Sequence, residues 1–412
     1  MKSCYTLILI IALFHLSCSR KSHQPLEDQM EKVLARALQK YNERGASTAI
    51  INDDKLYTAV SGISHDTVSI KPDMLFAIGS VTKNVVAALT LKLVEENILS
   101  LEDPLSKWLP VYPHIDSSIT IRQLLNHTSG IYMFWNNEKI WDDLKKDRAK
   151  VWTPEEVLSY IQEPHFAPGR GWRYSNTNYL LLAMIIEKAT GSKLSTEFRK
   201  YFWKPLGISR AYLSLEDTIP DNIAHVFGDN FIHGNSESDL TYLPRASHES
   251  ITFGSSGIFT TAENLALWSH SLFEGKILKP QSMKEMLQFI KFKPVSTMRA
   301  YGLGVYEYKP SLTYGKYAIG HGGGNIGTTT YMVCLPDYHA SIVVMVSAFP
   351  SKSADAITKG LVKVVLKELN AWSILSYIQM LPSGLLIFYV SVFFIVIIVQ
   401  LYRKKVFTMV KH

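Results

Sequence analysis

The sequence predicts an α+β fold, in which an antiparallel sheet flanked by helices carries an inserted all-helical lobe at about residues 98–250. The first observation is a pair of short strand patterns near the N-terminus, Ser47–Ile51 and Leu56–Ser61. The second is the segment between the two ends, where apolar residues recur three and four positions apart, as in helices. The third is the return of strand patterns after Tyr301, at residues 303–308, 328–335 and 341–346. Strands at both ends imply one sheet built from the N- and C-terminal parts.

The N-terminal elements have clear boundaries. Leu26–Arg44 has the spacing of an amphipathic helix, which Gly45 closes. The two strands that follow flank the polar turn Asn52-Asp53-Asp54, which predicts a hairpin. A further apolar-periodic segment starts near Ser80 and predicts a helix to about Asn97.

The middle and the C-terminal end of the body show helix signals. Thr153-Pro154-Glu155-Glu156 combines an N-cap, a first-position proline and a capping-box glutamate. Tyr179–Ala189 is a strongly apolar helix that Gly191 ends. Residues 138–150 mix both charge signs and predict a solvated helix or loop. Residues 353–369 predict a last amphipathic helix.

Composition excludes several classes of function. The chain has 412 residues, 47% hydrophobic and 19% charged, with a net charge of +7. It is long enough to bury a large core, and no basic stripe interleaved with aromatic residues predicts nucleic-acid binding. Cys334 is the one cysteine of the body, and the zinc-binding pattern His-Glu-x-x-His does not occur. The sequence therefore predicts a mechanism without metal or cofactor, and no feature of it predicts an oligomeric state.

Residues 1–19 are typical of a signal segment. Lys2 precedes an apolar run, and small residues surround Cys18. Cys18 has the small preceding residue of a lipidated cysteine, although His15 stands where an aliphatic residue is usual. Lipidation, ordinary cleavage nearby and an uncleaved anchor remain open.

Residues 381–401 predict a transmembrane helix. The segment has no charged residue, and at about 1.5 Å per residue it would span roughly 30 Å, the thickness of the hydrocarbon core. The tail 402–412 begins with Arg403-Lys404-Lys405, which predicts a cytoplasmic C-terminus. Together, the two ends predict a membrane-anchored body outside the cytoplasm, in the periplasm or on the outer face of the inner membrane.

Ser80 is the candidate nucleophile. It stands at the start of a predicted helix, and Lys83 follows one turn later on the same side. A serine hydroxyl becomes nucleophilic when a neighbouring base takes its proton, and a lysine does so if burial or positive neighbours lower its pKa. The helix N-terminus adds N–H groups near a developing oxyanion.

Two more motifs are remote from this one: Tyr174-Ser175-Asn176 and His321-Gly322-Gly323. In this order, the three motifs resemble those of the serine β-lactamase and penicillin-binding-protein-like hydrolases, on the branch of class C β-lactamases, DD-peptidases and related esterases. Further segments are similar to family landmarks: residues 97–104, 124–130, 168–176 and 254–258. The resemblance covers about residues 25–370 and implies a β-lactamase/transpeptidase-like fold for that domain.

The resemblance implies a role for each motif. Ser80 would be the nucleophile, and Lys83 with Tyr174 would form the base, which of the two holds the proton at each step being left open. Asn176 would hold the substrate amide and orient Lys83. The glycines Gly323 and Gly324 would let substrate approach a strand backbone, with the N–H groups of Gly324 and Ser80 as the oxyanion hole.

One departure bears on the substrate. His321 begins the third motif, where most β-lactamases have a lysine that supplies a permanent charge to a substrate carboxylate. Histidine is mostly neutral near pH 7, so strong β-lactamase activity is not expected. A small-molecule or peptide substrate is predicted, and DD-peptidase, D-amino-acid peptidase, esterase and weak β-lactamase activities stay open.

Two hypotheses follow for the whole chain. The first is a membrane-tethered, extracytoplasmic serine hydrolase that cleaves an amide or ester through an acyl-enzyme on Ser80. The second is a catalytically inactive binding or regulatory module on the same fold. The complete motif set favours the enzyme. Of the other histidines, His127 is predicted to be structural.

Overall fold

The computed structural model describes residues 25–227, 239–241 and 244–380. The chain divides into two compact units, Met1–Val362 and Lys363–His412. The predicted signal segment, the predicted span 381–401 and the basic tail lie outside the described residues. The placement of the body outside the cytoplasm therefore stays a prediction.

A nine-stranded antiparallel sheet forms the centre of the first unit, and a small three-stranded sheet lies beside it. The strands are β1 (Gly45–Asn52), β2 (Lys55–His65), β3 (Val68–Ser69), β4 (Phe76–Ala77), β5 (Ala211–Leu213), β6 (Ile258–Thr260), β7 (Ile290–Val295), β8 (Met298–Tyr301), β9 (Tyr306–Tyr308), β10 (Ile319–Asn325), β11 (Thr328–Leu335) and β12 (Ala340–Val346). The large sheet has the order β3-β2-β1-β12-β11-β10-β9-β8-β7, and the small one β4-β6-β5.

The two ends of the body meet in the middle of the large sheet. Strand β1 pairs with β12 in the register Thr48 to Val344, and the Thr48 hydroxyl donates to the Val343 carbonyl at 2.5 Å. The prediction of a sheet built from both ends is therefore confirmed. Both strands are buried along almost their whole length, as expected for the centre of a sheet covered on two faces.

Helices cover the sheet and form most of the region between its two halves. The helices are α1 (Leu26–Tyr41), α2 (Thr82–Glu95), α3 (Leu105–Trp108), α4 (Ile121–Leu125), α5 (Glu138–Lys146), α6 (Pro154–Leu158), α7 (Asn176–Thr190), α8 (Leu194–Phe198), α9 (Lys204–Leu206), α10 (Ala246–Ile251), α11 (Ala262–Phe273), α12 (Pro280–Met286) and α13 (Ser353–Met380). Short 3₁₀ turns occur at Gly79–Val81, Phe134–Asn136 and Pro336–Tyr338, and a π-helical turn at Arg199–Trp203.

Helices α2 and α7 form the core next to the sheet. Val85, Val86 and Leu89 in α2 are at most 1% exposed, as are Leu180 and Ile185 in α7. Helix α7 ends at Gly191, which adopts the left-handed conformation that the sequence predicted for its cap. Apolar residues on every face suit a helix enclosed by protein on all sides.

In its described residues, the inserted region consists of helices and loops and one named strand, β5. This strand of three residues was not predicted, because a segment so short carries no usable periodicity. The segment at 138–150 contains helix α5, and its Ile140 and Leu144 are buried, so one face of it packs against the core.

The predicted transmembrane helix requires a correction of the fold class. Among the described residues, no helix is both long and apolar enough to cross a membrane. Helix α13 has 28 residues, but Lys359, Lys363 and Lys367 recur along it, and each would be costly in hydrocarbon. The fold class supported by the described residues is the α+β body without a transmembrane helix.

Candidate active site

Ser80 lies in the 3₁₀ turn Gly79–Val81, which leads directly into α2. The preceding Gly79 has a φ of +54°, and a Cβ there would lie 2.4 Å from the carbonyl oxygen of Gly324. Only glycine fits this position without strain. The turn thus holds Ser80 against the backbone of β10, as a nucleophile beside an oxyanion-binding strand requires.

Lys83 reaches Ser80 from the first turn of α2. Its Nζ lies 2.9 Å from Ser80 Oγ and 2.7 Å from the carbonyl oxygen of Ser255. The side chain is fully buried, and this burial lowers the pKa of the amine well below its ordinary value. A neutral amine can donate one N–H to Ser255 and accept the proton of Ser80.

Tyr174 stands on the other side of the nucleophile, just before α7. Its hydroxyl interacts with Ser80, and Lys83 Nζ lies 5.0 Å from the centre of its ring. Burial raises the pKa of Tyr174 above its ordinary range. The sequence left the base undecided between Lys83 and Tyr174, and burial favours a neutral amine beside a protonated phenol.

His127 supports Tyr174 from behind. Its Nδ1 accepts the backbone N–H of Ser175 at 3.2 Å, and the two ring centres of His127 and Tyr174 are 4.3 Å apart. Burial, together with the neighbouring Lys83 and His321, lowers the pKa of His127 well below its ordinary value. A neutral, buried histidine that packs on Tyr174 fits the predicted structural role.

Strand β10 forms an open edge beside Ser80. Its Ile319 and Gly320 pair with β9, whereas the register from His321 to Asn325 is with β11 alone. A Cβ on Gly323 would lie 1.9 Å from the carbonyl oxygen of Ile78 and 3.0 Å from Ser80 N. A Cβ on Gly324 would overlap the ring of Phe349. The glycines therefore bring the strand backbone to Ser80, where the predicted oxyanion hole would lie.

His321 is held in the wall of the cleft by two hydrogen bonds. Its Nε2 lies 2.8 Å from the Tyr301 hydroxyl and its Nδ1 lies 2.7 Å from the Gly322 carbonyl oxygen. Nδ1 carries the proton, because a carbonyl only accepts, and Nε2 then accepts from Tyr301. Burial and the nearby Lys83 lower the pKa of His321 to about 3. His321 is therefore neutral and supplies no charge to a substrate carboxylate.

Asn176 is a predicted site residue for which the structure gives no hydrogen bond to Ser80, Lys83 or Tyr174 among the described residues. It is the first residue of α7, and among the described residues its buried Oδ1 has no hydrogen-bond partner. The hydrogen bonds of Lys83 run to Ser80 and Ser255. The carbonyl of Ser255 thus orients Lys83, and a role of Asn176 toward Lys83 or the substrate stays a prediction.

A cleft of about 410 Å³ opens in front of Ser80. It is lined by Ser80, Tyr174, Val295, Ser296, Thr297, Met298, Tyr306, His321, Gly322, Gly323, Gly324, Thr329, Tyr331, Phe349, Pro350 and Ser351. This described lining has no lysine or arginine. Sequence reasoning missed the walls at 295–298 and 349–351, because no motif marks them. The segment 254–258 was noted as a landmark, and its glycines were the available signal for the role of Ser255.

Comparison with known proteins identifies the family. The Beta-lactamase family model matches residues 30–367. Penicillin-binding protein 4* of Bacillus subtilis is 26% identical over 320 residues, which cover 74% of this chain and 68% of that protein. Esterase EstB of Burkholderia gladioli is 32% identical over 199 residues, 44% of this chain and 50% of the esterase, so this match spans only half of that protein.

Solved structures have the same fold. A D-stereospecific amidohydrolase from Streptomyces sp. superposes with a TM-score of 0.71 at 26% identity and covers 80% of this chain and 97% of its own. The D-amino acid amidase of Ochrobactrum anthropi SV3, complexed with D-phenylalanine, superposes with a TM-score of 0.73 at 23% identity. The match covers 84% of this chain and 99% of the amidase, and at this identity it shows a likeness of fold alone. The resemblance drawn from the three motifs is confirmed, and the chain belongs to the beta-lactamase family.

Proposed function

We propose that this chain is a serine hydrolase that cleaves an amide or ester bond through an acyl-enzyme on Ser80. The observation that carries the proposal is the contact of Lys83 and Tyr174 with the Ser80 hydroxyl, since these groups come from segments about 90 residues apart in the chain. The glycine edge of β10 adds the backbone groups that acyl transfer needs. Membership of a family that contains esterases and penicillin-binding proteins supports the same class of reaction.

The protonation states support an order of steps. Ser80 Oγ attacks the substrate carbonyl carbon while its proton moves to the neutral amine of Lys83. The bond to the leaving group then breaks, and the leaving group takes the proton of the Tyr174 hydroxyl. The ammonium on Lys83 stabilises the resulting phenolate. In the second half, water attacks the acyl carbon and returns a proton to Tyr174, while Lys83 returns its proton to Ser80.

The charge of the cleft limits the substrates. The neutral His321 and the absence of lysine and arginine from the described lining make a carboxylate a poor match for the cleft. Esters and peptides that do not depend on such a carboxylate are therefore favoured over β-lactams. The similarity to an esterase and to a D-stereospecific amidohydrolase supports this order.

Labelling of the full chain by a fluorophosphonate, which needs no carboxylate contact, tests the proposal. We expect an adduct in the wild type and in Ser69→Ala, an exposed serine outside the cleft, and none in Ser80→Ala. Rates on a p-nitrophenyl ester, nitrocefin and a D-Ala-D-Ala peptide then separate the substrate classes. Folded protein that no serine probe labels would favour the inactive binding module.

A further inference from the structure

One end of the cleft is lined by hydroxyl groups that already donate their protons in hydrogen bonds within the protein. The Tyr331 hydroxyl donates to Asp355 Oδ1 at 2.8 Å, and the Ser351 hydroxyl donates to Glu43 Oε2 at 2.6 Å. The Thr329 hydroxyl donates to the Ala348 carbonyl at 2.7 Å. All three residues line the cleft. Since each hydroxyl has a single proton, a ligand can meet these oxygens only as hydrogen-bond acceptors. Thr329 Oγ1 also accepts the Ser351 N–H at 3.2 Å, and Ser351 Oγ accepts the Ala354 N–H at 3.0 Å, which leaves one lone pair on each of these two oxygens.

Two carboxylates stand behind these hydroxyls and make this end of the cleft negative. Asp355 lies in the first turn of α13, and Glu43 accepts the backbone N–H groups of Lys352 and Ser353 at 2.8 and 3.4 Å. The helix N-terminus stabilises carboxylates in this position.

The other walls of the cleft also favour a positively charged ligand. The rings of Tyr174, Tyr306, Tyr331 and Phe349 line the cleft, and aromatic faces attract cations. No lysine or arginine is part of the described lining. Lys352 is exposed and is not among the lining residues. Lys291, Arg299 and Lys309 line a different surface cavity.

We propose that the end of the cleft formed by Thr329, Tyr331 and Ser351 binds a primary ammonium group of the substrate. The three N–H donors of an ammonium group can bind the acceptor oxygens. Its positive charge is attracted by the carboxylates behind them and by the aromatic rings of the walls. The binding of an ammonium group does not depend on the proposed function. Only the statement that the bound molecule is a substrate rests on that function. The substrate is then an amide or ester that carries a free amine at a short distance from the scissile bond.

Pairs of esters test this on the full-length wild type. Each pair has one member with a primary amine and one with an isosteric methyl group, and the amine is placed on the acyl side in one series and on the alcohol side in another. We expect kcat/KM to be about tenfold higher for the amine member of one series, the size of a charge-assisted hydrogen bond. Equal rates, or faster hydrolysis of the neutral members in both series, would overturn the proposal.

Variants locate the effect. Tyr331→Phe and Asp355→Asn are expected to lower the ratio of the amine to the neutral member about tenfold, mainly through KM. Glu31→Gln removes the same charge from an exposed position on α1 and is the matched control. An unchanged ratio in both cleft variants, each still labelled at Ser80, would mean that the subsite is elsewhere and would refute the assignment.

A binding measurement separates this inference from the proposed function. Calorimetry with Ser80→Ala compares benzylammonium with benzyl alcohol and needs no turnover. We expect tighter binding of the ammonium compound, and weaker binding once Tyr331→Phe is added. If Ser80 proves dispensable for hydrolysis while this preference persists, the proposed function fails and the ammonium site stands. Equal binding of the two compounds refutes the site.

Discussion

Burial determines the protonation of the residues around Ser80. Lys83 and His321 are buried and Tyr174 is half-buried at the same cleft, and in each case loss of hydration favours the neutral form. The result is a nucleophile between a neutral amine and a protonated phenol. The roles of the two groups follow from their environment rather than from their chemical type alone.

Removal of the Tyr174 hydroxyl tests its part as proton donor. Tyr174→Phe keeps the ring that packs on His127 at 4.3 Å, so the fold should be retained. We expect acylation to slow by about 10²- to 10⁴-fold, the usual contribution of a general acid or base. Stopped-flow measurement of the acylation burst checks this. Tyr317→Phe, at a tyrosine that is 40% exposed, is the control, and a wild-type rate in Tyr174→Phe would exclude Tyr174 from the mechanism.

The pH dependence of acylation reports on Lys83. The reactive form is the neutral amine, so kcat/KM rises as pH increases through the lowered pKa of Lys83, well below the ordinary lysine range. The raised pKa of Tyr174 keeps the phenol protonated above that point. His321, with a pKa of about 3, contributes no step near pH 6.5. A rising limb centred near 10, the ordinary lysine value, would contradict the assignment of Lys83 as base.

Residue types and spacing identified Ser80, Lys83 and Tyr174 as candidates, but not their environment. The direction of each pKa shift depends on burial, which involves residues hundreds of positions away. The orientation of Lys83 by Asn176 stays a prediction, whereas a further acceptor for Lys83 was missed for the same reason. The acceptor is the backbone carbonyl of Ser255, and a backbone carbonyl leaves no mark on the residue types of a sequence.

At the scale of elements, the contact between the 3₁₀ turn and β10 sets the geometry of the cleft. Gly79 and Gly323 bring two backbones together at a distance that no side chain could occupy. The contact places the Ser80 turn beside the unpaired edge of β10. Small movements of either element would displace the nucleophile from the backbone N–H groups.

Gly323→Ala tests this contact. The new Cβ would lie 1.9 Å from the Ile78 carbonyl oxygen, so β10 and the turn must separate. We expect acylation to fall by about 10²-fold or more, comparable with the loss of one oxyanion donor. Gly275→Ala is the matched control, because its φ of +73° strains the backbone by about 1 kcal/mol with no atom within 4 Å of the new Cβ. Similar acylation rates in both variants, measured with a serine probe, would argue against the contact.

Element prediction succeeded where periodicity was long and clean. Strand β11 has the predicted bounds, Thr328–Leu335, and the first hairpin, its turn at Asp53 and Asp54, lies where it was expected. The hairpin of β7 and β8 was missed, since β7 is exposed over much of its length and contains Pro294. Its hydrophobic pattern is too weak to indicate a strand, although its tip lines the cleft.

At the scale of the whole molecule, the active site is part of the hydrophobic core. Lys83 is fully buried in α2, beside residues such as Val86 and Ala87. Burial of this amine opposes folding, because the unfolded chain holds it protonated in water, whereas burial disfavours the charged form. The protein therefore retains Lys83 at a cost in stability.

Lys83→Met measures this cost. The pKa of Lys83 is lower in the folded than in the unfolded state. Between the folded-state pKa and about pH 10.4, the unfolded chain therefore binds one proton more than the folded chain. In that window the free energy of unfolding rises with pH. The slope is at most about 1.4 kcal/mol per pH unit for one group. We expect Lys83→Met to lack this part of the slope and to be more stable than the wild type at neutral pH. Denaturant unfolding between pH 6 and 10 checks this, and parallel curves for the two proteins would contradict it.

The pairing of β1 with β12 has a consequence for synthesis. Asn52 ends the first strand and Ala340 begins its partner, so nearly 300 residues separate them in the chain. At about 5 to 20 residues per second, a ribosome takes roughly 15 to 60 s to produce that interval. For that time the nascent chain carries an unsatisfied strand edge, and the cleft has no oxyanion wall. The active site is then completed only near the end of synthesis. A chaperone that shields Gly45–Asn52 during translation would improve the yield of native protein.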